Sequence, residues 1–462
     1  MSTTIAPAEA AHRELRTFGG ELIGPDDAGY AEARAVFNAM IDRRPALIAR
    51  CANDADVSSV IGFARSHDLR IAVRGGGHNG AGLGTCDDGV VIDLSLLRSV
   101  ELDAERREVR VGGGCTWADV DRVTQEAGLA VPCGIISTTG VGGLTLGGGL
   151  GHLTRRYGLS IDNLLGADVV LADGTTTRAS RDENPDLLWA LRGGGGNFGI
   201  VTSFRFRAQP AGTVVAGPTF WPIEQSAEVL SAYRDFLPDA PRELNGFFAY
   251  HFVPPGPPFP EELHGRHVCG VVWCFLGTEE RLAKLLAPML AVGTPLLHGV
   301  HPLPMATLNG AFDGLHPPGD QWYWRADFVK EVTDEAVALN TRFGEALPTA
   351  KSTMHLYPID GAAHDVAPAD SAWSYRDARW AQVMAGVDPD PAKAPAVRQW
   401  SVEYWDALHP HSAGGAYVNM MMEEGQERVR AAYRENYPRL ATIKSAYDPD
   451  NVFRVNQNIR PA

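Results

Sequence analysis

Residues 73–84 read VRGGGHNGAGLG, so three consecutive glycines deliver one imidazole, His78, into a stretch with few other side chains. Two more glycine clusters follow, at 140–151 and 193–199. Backbone N–H groups in such stretches approach an anion without Cβ clashes, and positive φ costs little there. A diphosphate is the usual anion that demands this, so three clusters in one half of the chain point to a dinucleotide cofactor. The pattern is not the Rossmann fingerprint, whose glycines open a helix after a strand. Here the glycines lead from a strand into another loop and strand. No G-K-[ST] follows, which excludes a P-loop.

The elements that must position these loops are legible around them. ALIARC (Ala46–Cys51), LRIAVRG (Leu69–Gly75), GVVIDLS (Gly89–Ser95) and REVRVGGG (Arg107–Gly114) are short strands. The helix Asp54–Asp68 carries Val57, Val60, Ile61 and Ala64 at helical spacing, with Asp54 or Asp56 as cap. A second helix runs from Thr116, its N-cap, to Gly128. Residues 166–180 form a hairpin turning at Asp173-Gly174. Residues 184–210 form a short helix, a glycine stop and a strand. The first half is therefore mixed α/β. After Pro210 glycine thins while aromatics and proline-rich loops increase, marking a second domain to about residue 410.

The bulk numbers narrow the function. A chain of 462 residues exceeds one ordinary core, so two domains are expected. A net charge of −15 opposes non-specific nucleic-acid binding. The six cysteines (Cys51, Cys86, Cys115, Cys133, Cys269, Cys274) make no C-x-x-C pair, so neither a disulfide framework nor a zinc site is expected. No apolar run reaches the ~18 residues of a membrane span, and no secretory leader is evident. The expectation is a cytoplasmic protein with no metal.

VRGGGHNGAG, then GIISTTGVGGLTLGGGLGHLTRRYGLSIDNL, NPDLLWALRGGGGNFGIVTSFRF and finally AYVNM…NYPRLATIKSAYDPDNVFRVNQNI resemble the FAD-linked oxidases of the vanillyl-alcohol-oxidase superfamily. Within it they are similar to the berberine-bridge-enzyme-like family, in its bacterial branch. The resemblance implies an α+β architecture. A PCMH-type FAD-binding domain of two α/β subdomains would occupy 1–210, with its core at about 44–210. A substrate domain, an antiparallel sheet backed by helices, would occupy 211–410. Residues 411–462 would return to the FAD domain.

The resemblance further implies FAD covalently held through its 8α-methyl by His78. A second link, from cysteine, lies in many relatives four residues before Gly140. That position is Ile136 here, and Cys133 stands three residues too early, so a single link is expected. Carried over with His78 as cofactor-binding are Val73, Arg74, Gly75, Gly76, Gly77, Asn79, Gly82 and Leu83. The second stretch supplies Ile136, Ser137, Thr138, Thr139, Gly140, Gly142, Gly143, Leu144, Gly147, Gly148 and Gly149. Tyr157, Gly158, Asp162, Asn163, Gly199 and Ile200 follow, and Tyr417, Asn419 and Asn456 close the ring from the C-terminal side. Ser137–Gly143 would wrap the diphosphate, and Thr139 would line the pocket where O₂ meets the flavin.

The flavin supplies hydride chemistry, and the protein supplies position, a base and electrostatics. Tyr417 is the first candidate for the proton acceptor, provided its pKa is lowered from near 10. Tyr250, His355, Tyr357 and Gln382 are the substrate-side candidates, with Tyr250 and His355 also as catalytic residues beside Thr139. Period-2 alternation places His355 and Tyr357 on one face of a strand. The aromatic run QWYWRADF (321–328) is a further pocket candidate. The expected activity is an oxidase acting on a small or mid-sized organic substrate with O₂ as acceptor. The alternatives are a flavin-dependent oxygenase or oxidative cyclase, or a drug-binding protein on the same scaffold. A monomer and a homodimer both fit.

Overall fold

The computed structural model describes residues 6–462. Three main sheets and a two-stranded pairing of Leu129–Ala130 with Gln209–Pro210 build it. The first has strand order Glu21–Ile23, Leu47–Arg50, Val90–Asp93, Ile71–Arg74, with the last three parallel. Its strands are continuous apolar runs because helix Asp54–Ser66 covers one face, burying Val57, Val60, Ile61, Phe63 and Ala64. That helix is capped by Asn53, whose side chain accepts from Asp56 N–H, and not by Asp54 or Asp56. The buried Asp56 carboxylate instead accepts from the Gly19 and Ala52 N–H groups.

The second sheet is antiparallel, in the order Val100–Asp103, Glu108–Gly112, Ile200–Arg207, Leu164–Val170, Thr176–Ser180. Its last two strands form the hairpin expected at 166–180. Asp173 Oδ1 accepts from Thr175 N–H at 2.9 Å and fixes the turn. Helix Trp117–Thr124 begins at Thr116, whose N–H donates to Asp119, and its continuation ends at Gly128 with φ of +68°.

The third sheet spans residues 213–388 and is antiparallel throughout. Its order is Leu297–His298, Thr213–Pro222, His267–Phe275, Leu244–Phe252, Thr353–Pro358, Trp380–Asp388, Gln321–Val329. Helices Ser226–Phe236, Glu279–Leu290, Asp334–Gly344 and Ala394–Leu408 back one face. The core between them holds Tyr233, Trp273, Met354, Leu356 and Tyr404, all with 0% exposure. The other face turns toward the glycine-rich loops. After residue 411 the chain returns to those loops. Helix Tyr437–Tyr447 packs on helix Pro185–Leu191, and Lys444 Nζ donates to the Asn197 carbonyl at 2.6 Å.

Candidate active site

The glycine loops, the open face of the large sheet and the C-terminal segment enclose one cavity of about 360 Å³. The strand Ile71–Arg74 leads into it. Arg74 anchors the strand end, donating to Asp93 Oδ2 at 2.7 Å in a buried pair. Four residues on, His78 stacks on Phe37 with ring centroids 4.0 Å apart. Its Nε2 lies 3.1 Å from Thr138 Oγ1 and its Nδ1 3.5 Å from Thr139 Oγ1. Burial lowers its pKa to about 4, with the Asp313 carboxylate pulling weakly the other way. The ring is therefore neutral at physiological pH and keeps a nucleophilic lone pair.

Two glycines let the loops meet. A Cβ on Gly76 would sit 2.4 Å from Gly140 N, and one on Gly140 would sit 2.3 Å from Gly76 N. The backbones touch, and no other residue fits there. Asp313, on a loop of the large-sheet half, clamps the second of these stretches. It accepts from Ser137 N–H at 2.9 Å and from Ser137 Oγ at 2.5 Å.

The C-terminal segment supplies the opposite wall. Tyr417 Oη accepts from Gly149 N–H at 2.9 Å and from Asn419 Nδ2 at 2.7 Å. Both bonds favour the phenolate, yet burial outweighs them and lifts the pKa to about 12. The lowering that a base role requires is absent, so Tyr417 is a phenol at neutral pH. Asn456 Nδ2 donates to the Gly196 and Phe453 carbonyls.

On the sheet wall, Thr353, His355 and Tyr357 alternate toward the cavity with Val383 and Ala385 of the next strand. His355 Nδ1 and Tyr357 Oη are 2.6 Å apart. Trp322 and Trp324 from the aromatic run also line the cavity.

Among known families, the FAD binding domain matches residues 45–180, and the berberine and berberine-like domain matches residues 416–460. The chain is 30% identical to an FAD-linked oxidoreductase of Dictyostelium discoideum, over 92% of this chain and 91% of that one. It belongs to the berberine-like FAD-linked oxidoreductases. This FAD enzyme is also 31% identical to (R)-6-hydroxynicotine oxidase of Paenarthrobacter nicotinovorans, over 96% and 97% of the two chains. The solved 6-hydroxy-D-nicotine oxidase of Arthrobacter nicotinovorans superposes with a TM-score of 0.85 at 27% identity, covering 96% and 98% of the chains. The α+β fold of this oxidoreductase is that of the berberine-like enzymes.

The residues present fit FAD. Gly143 and Gly196 line the cavity, and no atom lies within 4 Å of where a Cβ on either would stand, so a side chain there would fill the cradle. Five cavity residues carry buried polar atoms with no protein partner among the described residues: Asn456 Oδ1 and Tyr433 Oη on the C-terminal side, and His316 Nδ1, Trp322 Nε1 and Trp324 Nε1 on the other. Such groups are costly unless a ligand or water meets them.

Not every residue singled out in the sequence reaches this cavity. Val73, Arg74, Gly75, Gly76, Gly77, His78, Asn79, Leu83, Ile136, Thr139, Gly140, Gly143, Leu144, Tyr417, Asn419 and Asn456 line it. Ser137 and Thr138 stand directly behind, tied to Asp313 and His78. Gly82 packs on Ile41, and Gly142 lies nearest Gly113 and Phe204. Gly147 and Gly148 lie against Asn419 and Trp373, and Gly149 offers its N–H to Tyr417.

Six further positions are corrections. Asp162 binds Arg376 and the Leu159 N–H, Gly158 packs on Asp162, and Asn163 donates to the Tyr157 and Leu159 carbonyls. Tyr157 donates to the Pro210 carbonyl. Gly199 abuts Val169, and Ile200 packs in the core of the first sheet. These six brace the loops and do not line this cavity.

Tyr250 and Gln382 are also corrections. Both point to the helix-backed face, as do their register partners Met354 and Leu356, one residue out of phase with His355. Tyr250 lies against helix Asp334–Gly344, and Gln382 Nε2 donates to Asn340 Oδ1 on that helix at 2.5 Å.

Sequence reasoning missed Phe37, His316, Gly195, Asn197, Tyr433 and Gln457. The 193–199 cluster marked the right loop but the wrong members. Phe37 carries no sequence signal, because it enters from a polar lead-in.

Proposed function

We propose that this enzyme is an oxidase whose FAD is tethered through His78 alone, and which passes electrons from a small organic molecule to O₂. FAD, when bound, would supply hydride-transfer chemistry at a substrate C–H, with O₂ as the final acceptor. The observation that supports this reading most is the position of His78, its ring stacked on Phe37 at the wall of a cavity shared with the open face of the large sheet. Thr138 and Thr139 hold its ring, and the glycine loop keeps side chains out of its way.

The single tether rests on Cys133. Its Sγ is buried, donates to the Gly134 carbonyl at 3.4 Å and accepts from Asn309 Nδ2 at 3.4 Å. Burial pushes its pKa well up, so it stays a thiol, and it lines no part of the cavity, whereas Ile136 does. Asn419, Asn456 and Tyr433 would hold the cofactor from the C-terminal side, and Asp313 would keep the Ser137 loop in place. Tyr417 contributes by fixing the Gly149 turn and Asn419. Thr139, with its short side chain, leaves room beside His78.

Acid denaturation tests the tether. The wild-type pellet should stay yellow, the His78→Ala pellet should be white, and Cys133→Ala should stay yellow. Peroxide formed in a one-to-one ratio with substrate consumed supports an oxidase. Labelled oxygen from O₂ in the product would overturn it in favour of an oxygenase.

A further inference from the structure

We infer that His355 is a fixed hydrogen-bond donor that selects an uncharged aromatic carbonyl compound as substrate. The argument rests on reading the cavity as the site of oxidation.

Counting protons fixes the tautomer. Tyr357 is buried, and among the described residues its hydroxyl has one partner, His355 Nδ1 at 2.6 Å. If Nδ1–H donated to the phenol oxygen, the phenol proton would be left without a protein acceptor among the described residues, which is costly in a buried site. The phenol must therefore donate to Nδ1. A neutral imidazole then carries its proton on Nε2. Desolvation keeps the ring neutral, lowering its pKa to about 3. Among the described residues Nε2 has no protein partner, and its ring lines the cavity, so the wall presents an N–H there and no lone pair.

The rest of the wall narrows the ligand. No Asp, Glu or Lys lines the cavity among the described residues, and the one arginine, Arg74, is committed to Asp93. A cationic amine would be buried without a counter-charge. Val383 and Ala385 leave a shallow apolar trough in the wall beside His355 and Thr353. Thr353 gives its hydroxyl proton to the Tyr250 carbonyl at 2.7 Å. Beside His355, the only unpartnered buried polar atoms on this bank among the described residues are His316 Nδ1 and the Trp322 and Trp324 indole N–H groups, so a sugar would leave most of its many hydroxyls unpaired. Trp322, Trp324 and His316 border the trough, and aromatic rings pack well on such borders. A flat ring packed against these borders, with one carbonyl oxygen directed at His355 Nε2, satisfies that donor.

Calorimetric titration of the FAD-loaded protein with four probes tests this: acetophenone, ethylbenzene, cellobiose and benzylammonium. Acetophenone should bind about ten-fold tighter than its carbonyl-free counterpart, the usual worth of one buried hydrogen bond. His355→Phe should abolish that ratio, and His355→Gln, which keeps an N–H, should restore part of it. Tyr357→Phe should leave the fold intact but convert the ¹⁵N signals of His355 from one tautomer to a mixture, a readout that a packing role does not move. Equal affinity for acetophenone and ethylbenzene, survival of the ratio in His355→Phe, no acetophenone binding, or tighter binding of cellobiose or benzylammonium each overturns the inference. Flavin reduction is followed separately. If no compound reduces the flavin but the acetophenone ratio stands, the oxidase reading fails and this one holds. Bleaching by sugars with no such ratio does the reverse.

Discussion

His152 should make the enzyme acid-sensitive in a way one substitution removes. The ring is 2% exposed, neither nitrogen has a partner among the described residues, and its centroid lies 6.0 Å from that of Phe247. Desolvation alone lowers its pKa to about 3. The folded pKa thus lies below the unfolded value of ~6.5. Above pH 6.5 both states are neutral and the residue contributes nothing to pH dependence. As pH falls below 6.5 the unfolded chain takes a proton that the fold refuses, so stability drops until about pH 3. At pH 5 the loss from this group is about 2 kcal/mol, which for a chain of this size is a midpoint shift of about 2 °C. His152→Leu removes the titration and two unsatisfied nitrogens. Thermal unfolding of wild type and variant should therefore diverge by that amount between pH 8 and pH 5, with the variant favoured in acid. Parallel curves across that range would refute the claim that His152 is held neutral by burial.

Other substitutions probe the site. Gly143→Leu should yield colourless protein with a midpoint within a few degrees of apo wild type, because its side chain enters the cradle; full FAD loading measured at 450 nm would contradict the fit. Tyr417→Phe deprives the Gly149 N–H and Asn419 of their acceptor, at a cost of about 1–3 kcal/mol, seen as a lowered midpoint and slower turnover. Tyr250→Phe should change kcat and KM by less than about two-fold, since its hydroxyl is unpartnered on the far face of the sheet; a larger loss would return Tyr250 to the substrate. Asp313→Ala should slow the appearance of acid-stable colour after FAD is added to apoprotein, as the Ser137 loop loses both clamps.

The glycine loops were readable because close backbone approach leaves only one residue type available, as Gly76 and Gly140 demonstrate. Short strands such as Val90–Asp93 were readable from continuous apolar runs, and the hairpin from Asp173-Gly174. Other features required the folded chain. Tyr250 and Tyr357 both lie in aromatic, strand-like stretches, and only register decides which face each occupies. Pairing of Tyr250 with Met354 puts it on the helix side, one residue out of phase with Thr353 and His355. The helix Val141–Gly147 went unread because its glycines argue against any helix, and the tertiary setting overrides that preference. Asp313 and Ser137 are 176 positions apart, so no local pattern connects them.

Asp313 and His316 sit three residues apart on one short loop, the first gripping the Ser137 turn and the second bordering the trough. A single stretch of chain therefore acts as a latch between the two halves of the molecule. The Ser137 turn and the His316 border are thus held by the same few residues, and a substitution that loosens one end of this peptide bears on both banks of the cavity.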